Sequence, residues 1–170
     1  VVGGVLAINV VHELIHKETR LDRAAVGLLP VSVGYHGLKV EHVRGHHVHV
    51  STPEDASSAR FGQSLWHFLP RALLRNTANG WRLEAARLAR LGKPWWHWRN
   101  ELLGWTALWL ALAATAWAWL GSTGLAAFLV QGVVAACALE IINYIEHYGL
   151  ERRRLADGRH ERTTHLHSWN

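Results

Sequence analysis

Hydrophobic residues fall along this chain in blocks. From Leu102 to Leu139 there is no Asp, Glu, Lys or Arg, and Gly121-Ser122-Thr123-Gly124 divides the block into two apolar runs, Leu102 to Leu120 and Leu125 to roughly Ile142. Each approaches the ~20 residues a helix needs to cross a bilayer, so the pattern predicts a tight transmembrane helical hairpin. Trp98, Trp105, Trp117 and Trp119 sit towards its ends, where indole rings favour the headgroup level. The competing reading, a hairpin buried in a soluble protein, fits the uninterrupted uncharged length less well. A third apolar run, Val1 to Val11, reads as the end of an earlier span.

Between these runs the pattern turns mixed. Ser51-Thr52-Pro53-Glu54-Asp55 reads as a helix start, with a hydroxyl cap, proline in the first turn and acids at the positive end of the dipole. Phe61 to Leu91 interleaves large apolar residues with arginines and is expected to form helices on the membrane surface, broken around Pro70 and Asn79-Gly80. The predicted class is all-α: a multi-span transmembrane bundle, made here of the end of one span plus a two-helix hairpin, with a helical histidine-rich region on one side.

Composition changes this picture in three ways. The mean hydropathy of zero hides the segregation just described. All 18 Lys and Arg fall between His12 and Glu101 or after Asn143, the two stretches a hairpin returns to one face; basic loops make that face cytoplasmic, on the inner membrane. The same sidedness explains the net charge of +5 more simply than nucleic-acid binding does. The single cysteine, Cys137, excludes an intrachain disulfide and a thiolate cluster, leaving nitrogen and oxygen as metal ligands. With no methionine and an opening in mid-run, residues 1–170 read as an internal piece of a single membrane domain.

The candidate chemistry lies in the spacing of the 13 histidines. His12-Glu13-Leu14-Ile15-His16 puts two imidazoles one helical turn apart, a chelating pair that also matches the HExxH signature of zinc proteases, with Glu13 as base. In Glu41-His42-Val43-Arg44-Gly45-His46-His47, an α-helix places His42 and His46 on one face and His47 about 100° round from His46. Three further imidazoles exceed what one zinc needs, so two metals, or one with redundant ligands, fit better. Glu140, Asn143 and His147 share a face at the end of the second apolar run; an acid at that depth is costly unless paired or functional, and Glu140 is a candidate acceptor orienting His147. His36, His67, His97 and His160 read as ordinary interfacial or core residues, as does His49, although it falls on the face of His42.

The segments HELIHK (His12 to Lys17), EHVRGHH (Glu41 to His47) and NYIEHYGL (Asn143 to Leu150), with His167-Ser168-Trp169-Asn170 after them, resemble the membrane-bound alkane 1-monooxygenases. The resemblance runs through essentially the whole chain, and NYIEHYGL is its most specific part. It implies a di-iron centre with His12, His16, His42, His46, His47 and His147 among its ligands, completed by a later HSDHH-type cluster. It also implies terminal hydroxylation of n-alkanes drawn from the bilayer, with electrons from a rubredoxin and its reductase. Arg44 and Arg152-Arg153-Arg154 are candidates for docking that acidic carrier. A xylene monooxygenase-type methyl hydroxylase remains a related alternative, and a metal carrier a non-catalytic one.

Overall fold

The computed structural model describes Val10 and residues 20–169. The opening apolar run and His12, Glu13 and His16 lie outside the described residues. The elements are α1 (Arg20–Ser32), α2 (Leu38–Glu41), a π-helical turn (His42–His46), α3 (His47–His49), α4 (Leu65–Arg90), α5 (Glu101–His147) and a final 3-10 turn (His165–His167). Among the described residues the only pairing of extended backbone is one bridge, Arg154 with His160.

The predicted hairpin is α5. Its 47 residues are helical except Gly121, at φ 65° and ψ −160°. A straight helix would separate Trp109 from Phe128 by ~28 Å at ~1.5 Å per residue, yet their rings lie 6.3 Å apart, so the chain reverses between them. Glycine at 121 is required by its positive φ. Gly124 allows the close approach, because a side chain there would collide with Leu120 and with the Ala116 carbonyl. Asn100 caps the first turn by accepting the Leu102 N–H at 2.9 Å. α5 is long and apolar enough to cross a membrane, and only 28% of its most apolar window is buried. Trp117, Trp119, Val130 and Val133 face outward, opposite to the core helix of a water-soluble fold.

The segment from Val26 to His36, which the sequence reading placed with His12 to Glu101 on one membrane face, lies along the hairpin. Gly27 sits against the Trp105 ring, Gly34 against Trp109 and Gly132 against the Val33 carbonyl. Gln131 donates to the Ser32 carbonyl at 2.8 Å. Val26, Val33, Tyr35 and Leu38 form a buried cluster with Ala135, Ala136 and Leu139. Small residues on the hairpin let the two backbones approach, the usual device where neighbouring helices have little apolar contrast with their surroundings.

Two sequence expectations fail in the connecting region. Residues 50–64 form an irregular loop, with Ser51 in the left-handed region at φ 56°, so Thr52 to Asp55 start no helix. The helix begins at Leu65, where Ser64 caps it by accepting the His67 N–H. The expected breaks are also absent: α4 is continuous through Pro70 and Asn79-Gly80. Pro70, the sixth residue of α4, lacks the N–H that would pair with the Trp66 carbonyl, so the helix runs on despite the loss of one backbone bond. Gly80 lies against Gly37, whose carbonyl would stand 3.3 Å from a Cβ. Tertiary packing of a strict i+4 stripe, Phe68, Ala72, Asn76, Gly80, Glu84 and Leu88, all buried, outweighs the local breaking signals.

Candidate metal centre

The second histidine cluster is not α-helical. His42 to His46 close a π turn, whose wider i→i+5 winding draws positions i, i+4 and i+5 towards one side. His42, His46 and His47 thereby converge, with ring centroids 5.3 Å apart for His42 and His46, 4.5 Å for His42 and His47, and 5.8 Å for His46 and His47. His49, placed with His42 by α-helical spacing, instead borders a different hollow with Glu54 and Arg75. Gly45 makes the turn possible: a Cβ there would lie 2.6 Å from the Glu41 carboxylate and 3.3 Å from Leu83. Glu41 itself is buried, which pushes its carboxyl up to about 8 despite the nearby His46.

His147, the last residue of α5, brings its ring to 5.0 Å from His46. His42, His46, His47 and His147 line one cavity of about 320 Å³, with Glu146, Thr163, Thr164 and His167. His42, His46 and His147 are buried, at 3%, 5% and 6% exposure.

Hydrogen bonding fixes which nitrogen each ring offers. His46 Nδ1 lies 2.9 Å from Asp55 Oδ2. Burial lowers the imidazole pKa, but the charge and hydrogen bond of Asp55, together with the charges of Glu41 and Glu140, raise it above its ordinary value; burial likewise raises the Asp55 carboxyl, and His46 with the Ser58 and Ser57 donors holds it below its ordinary value. Asp55 also accepts from Ser58 Oγ at 2.5 Å and the Ser57 N–H at 3.1 Å. His147 Nδ1 lies 3.0 Å from the His167 carbonyl oxygen. A carbonyl can only accept, so Nδ1 carries the proton and the lone pair falls to Nε2. The arrangement in which an outer partner sets the tautomer is that of metal-ligating histidines.

The His42 and His47 Nε2 atoms are 3.0 Å apart. Two nitrogens at ~2.1 Å from one metal, in adjacent positions, would stand about that far from each other. The donor set is all imidazole, which suits iron, zinc or copper. Among the described residues no three His, Cys, Asp or Glu side chains already hold the geometry of a single ion site.

Glu140 and Asn143 are placed next to one another, and the His147 Nδ1 proton goes to the His167 carbonyl. The Glu140 carboxylate accepts from Tyr35 OH at 2.6 Å, Asn76 at 2.9 Å and Asn143 at 3.3 Å, tying α4 to the hairpin by a buried polar knot. His167 is in the cavity wall, yet its Nδ1 accepts the Thr164 N–H at 3.0 Å, which leaves its proton on Nε2, 3.5 Å from Glu161. Arg152 is likewise structural. Its guanidinium donates to the Val48 carbonyl at 2.8 Å and to Glu161 O and Thr163 Oγ1 at 3.2 Å, clamping the 161–169 segment over the cavity. Of the arginines suggested for docking, Arg44 is engaged with Glu84 and Glu101, while Arg153 and Arg154 are exposed, Arg153 paired with Glu161 at 3.2 Å.

A model of the fatty acid desaturase family matches residues 1–170. The chain belongs to that family. Within it, the chain is 59% identical to alkane 1-monooxygenase 2 of Pseudomonas aeruginosa over 99% of its own length and 45% of the relative's. It is 55% identical to alkane 1-monooxygenase 2 of Alcanivorax borkumensis, covering 99% and 44% of the two chains. The hydroxylase component of the Pseudomonas putida xylene/toluene monooxygenase is 31% identical over 88% of this chain and 41% of its own. The chain thus spans less than half the length of these family relatives. Membership in the desaturase family also removes the support for reading His12, Glu13 and His16 as a zinc-protease motif.

Proposed function

We propose that the protein is an integral-membrane alkane hydroxylase that converts medium- to long-chain n-alkanes to 1-alkanols at a histidine-ligated di-iron centre. The observation that carries this reading is the pairing of His46 and His147. Their rings come from residues 101 positions apart in sequence, lie 5.0 Å apart, and each has its Nδ1 proton held by an outer acceptor. The likeness to alkane 1-monooxygenases over nearly the whole chain supplies the reaction class.

In this reading His12, His16, His42, His46, His47 and His147 would hold the iron. Bound iron supplies the O₂ activation, while the protein sets geometry and keeps water out. One oxygen atom enters the terminal C–H bond; the other leaves as water with two electrons and two protons. Asp55 and the His167 carbonyl keep the lone pairs of His46 and His147 turned to the cavity, and Arg152 holds the segment carrying that carbonyl in place. The hairpin sits in the inner membrane with its basic ends on the cytoplasmic side, so alkane reaches the site from the bilayer. A rubredoxin, reduced by its reductase, delivers electrons from the cytoplasm, and the exposed Arg154, with Arg153 beside it in its pair with Glu161, offers charge to an acidic carrier.

The test is turnover of octane by the iron-loaded full-length protein in lipid nanodiscs, with rubredoxin, its reductase, NADH and ¹⁸O₂. Labelled 1-octanol is expected. No alkanol from protein carrying iron, or one zinc per chain and no iron, sinks the proposal. The similarity to the xylene/toluene enzyme makes p-xylene the informative competitor: faster oxidation of its methyl group than of octane would reassign the substrate class.

A further inference from the structure

Glu84 has a surrounding that the hydroxylase reading does not use. It lies in the buried stripe of α4, its side chain has no exposure, and it does not border the histidine cavity. Its carboxylate accepts from Arg44 Nη1 at 3.1 Å, from Arg87 Nε at 2.8 Å and Nη2 at 2.5 Å, and from the Glu101 N–H at 3.1 Å. Burial raises its pKa, but these four donors hold it below the ordinary carboxylate value. Arg87 also donates to the Arg99 carbonyl at 2.8 Å, and Glu101 draws in Arg44 and Lys39 at 3.8 and 3.7 Å.

These partners belong to two regions whose relative position decides the site. Arg44 lies inside the π turn, between His42 and His46. Glu101 opens the hairpin, whose other end presents His147. A charge-assisted contact fixes distance more firmly than apolar packing, which tolerates sliding. A fully buried carboxylate also punishes the loss of any donor, because an unmatched charge stays behind.

We infer that Glu84 is a positioning residue for the metal centre, holding the π turn through Arg44 at a set distance from the first turn of the membrane hairpin. The inference rests on the metal-centre reading above. The turn is then held at two points, at Arg44 by Glu84 and at His46 by Asp55. Arg44 therefore serves the site from within, and its charge is spent on Glu84.

The experiment uses full-length protein in nanodiscs, loaded with ferrous iron, and compares wild type with Glu84→Gln, Arg44→Gln and the double variant. Each single variant is expected to retain ferrous iron ~10-fold less tightly and to show an altered Mössbauer quadrupole splitting. The alkane KM should stay unchanged while kcat falls, and the double variant should be little worse than either single one. A lowered melting temperature with iron affinity and Mössbauer spectrum unchanged would make Glu84 a stability residue and overturn the inference. If Glu84→Gln does not fold, Arg44→Gln reads the same contact from the side that is 40% exposed, with the same two outcomes. Wild-type protein that binds no iron would remove the metal-centre reading itself, and this inference with it.

Discussion

His46 and His147 meet across one cavity but are oriented by different means. His46 gives its Nδ1 proton to a carboxylate nine residues on, within the same stretch of chain. His147 gives its proton to a main-chain carbonyl at His167, at the far end of a strap fastened by Arg152. A carboxylate does two things for an imidazole: it orients the ring and raises its basicity, because the partner is charged. A carbonyl only orients it. The first arrangement is electrostatic and local; the second is as good as the tethering of the strap.

The sharpest way to break the comparison is Asp55→Asn. The amide keeps size and an acceptor oxygen but removes the charge, so orientation survives and basicity does not. Iron affinity is expected to fall by ~10–100-fold, the usual cost of losing an outer carboxylate, measured by competition with a chelator. No change would mean that His46 needs orientation alone, as His147 does. Gly45→Ala comes next. The new methyl meets Glu41 at 2.6 Å, and the overpacking of a tight core costs ~1–3 kcal/mol; the π turn must relax towards α-helix and swing His47 away. Iron loss of ~10-fold is expected, and loss without any change in melting temperature would show that the turn is not strained by the substitution. Arg152→Lys should have a smaller effect, because one ammonium cannot reach Val48, Glu161 and Thr163 together. Iron affinity should drop by only a few-fold, with faster proteolysis of the 161–169 strap. An effect as large as that of Asp55→Asn would erase the distinction between the two histidines.

Which of these features could be seen in the sequence follows from how local their causes are. The hairpin was legible because uncharged length is a bulk property, and its turn because Gly121 and Gly124 stand where the run breaks. The grouping of His42, His46 and His47 was legible because close spacing along the chain needs no tertiary knowledge. The π turn was not, since it depends on Gly45 fitting between the buried Glu41 carboxylate and Leu83, a residue of another helix. Asp55 was misassigned for a related reason: Ser-Thr-Pro-Glu-Asp carries the same residues whether it caps a helix or turns an acid inward, and only the burial of His46 decides between them. The carbonyl of His167 left no mark at all, because any residue has one. The continuity of α4 through Pro70 and Asn79-Gly80 was hidden by the weight of local breakers against a packing stripe visible only once its partners are in place.

The smallest expected effect concerns the metal-free protein, where the two histidines should differ in their response to pH. Asp55 has its pKa lowered from an ordinary 3.8, so its contribution to stability is present above 3.8 and is lost as the pH falls through the depressed folded value. His46 has its pKa raised from an ordinary 6.5, so its contribution is complete below 6.5 and is lost as the pH rises through the raised folded value. Both contributions are complete only between 3.8 and 6.5. The melting temperature of the iron-free full-length protein should therefore exceed that of its Asp55→Asn variant most near the middle of that window, and the gap should narrow towards alkaline pH. Arg152→Lys, which touches only the carbonyl side, should shift the melting temperature by the same amount across the range. A gap for Asp55→Asn that stays constant with pH would mean that no proton is shared more tightly on the His46 side, and the two imidazoles would then be held in the same way.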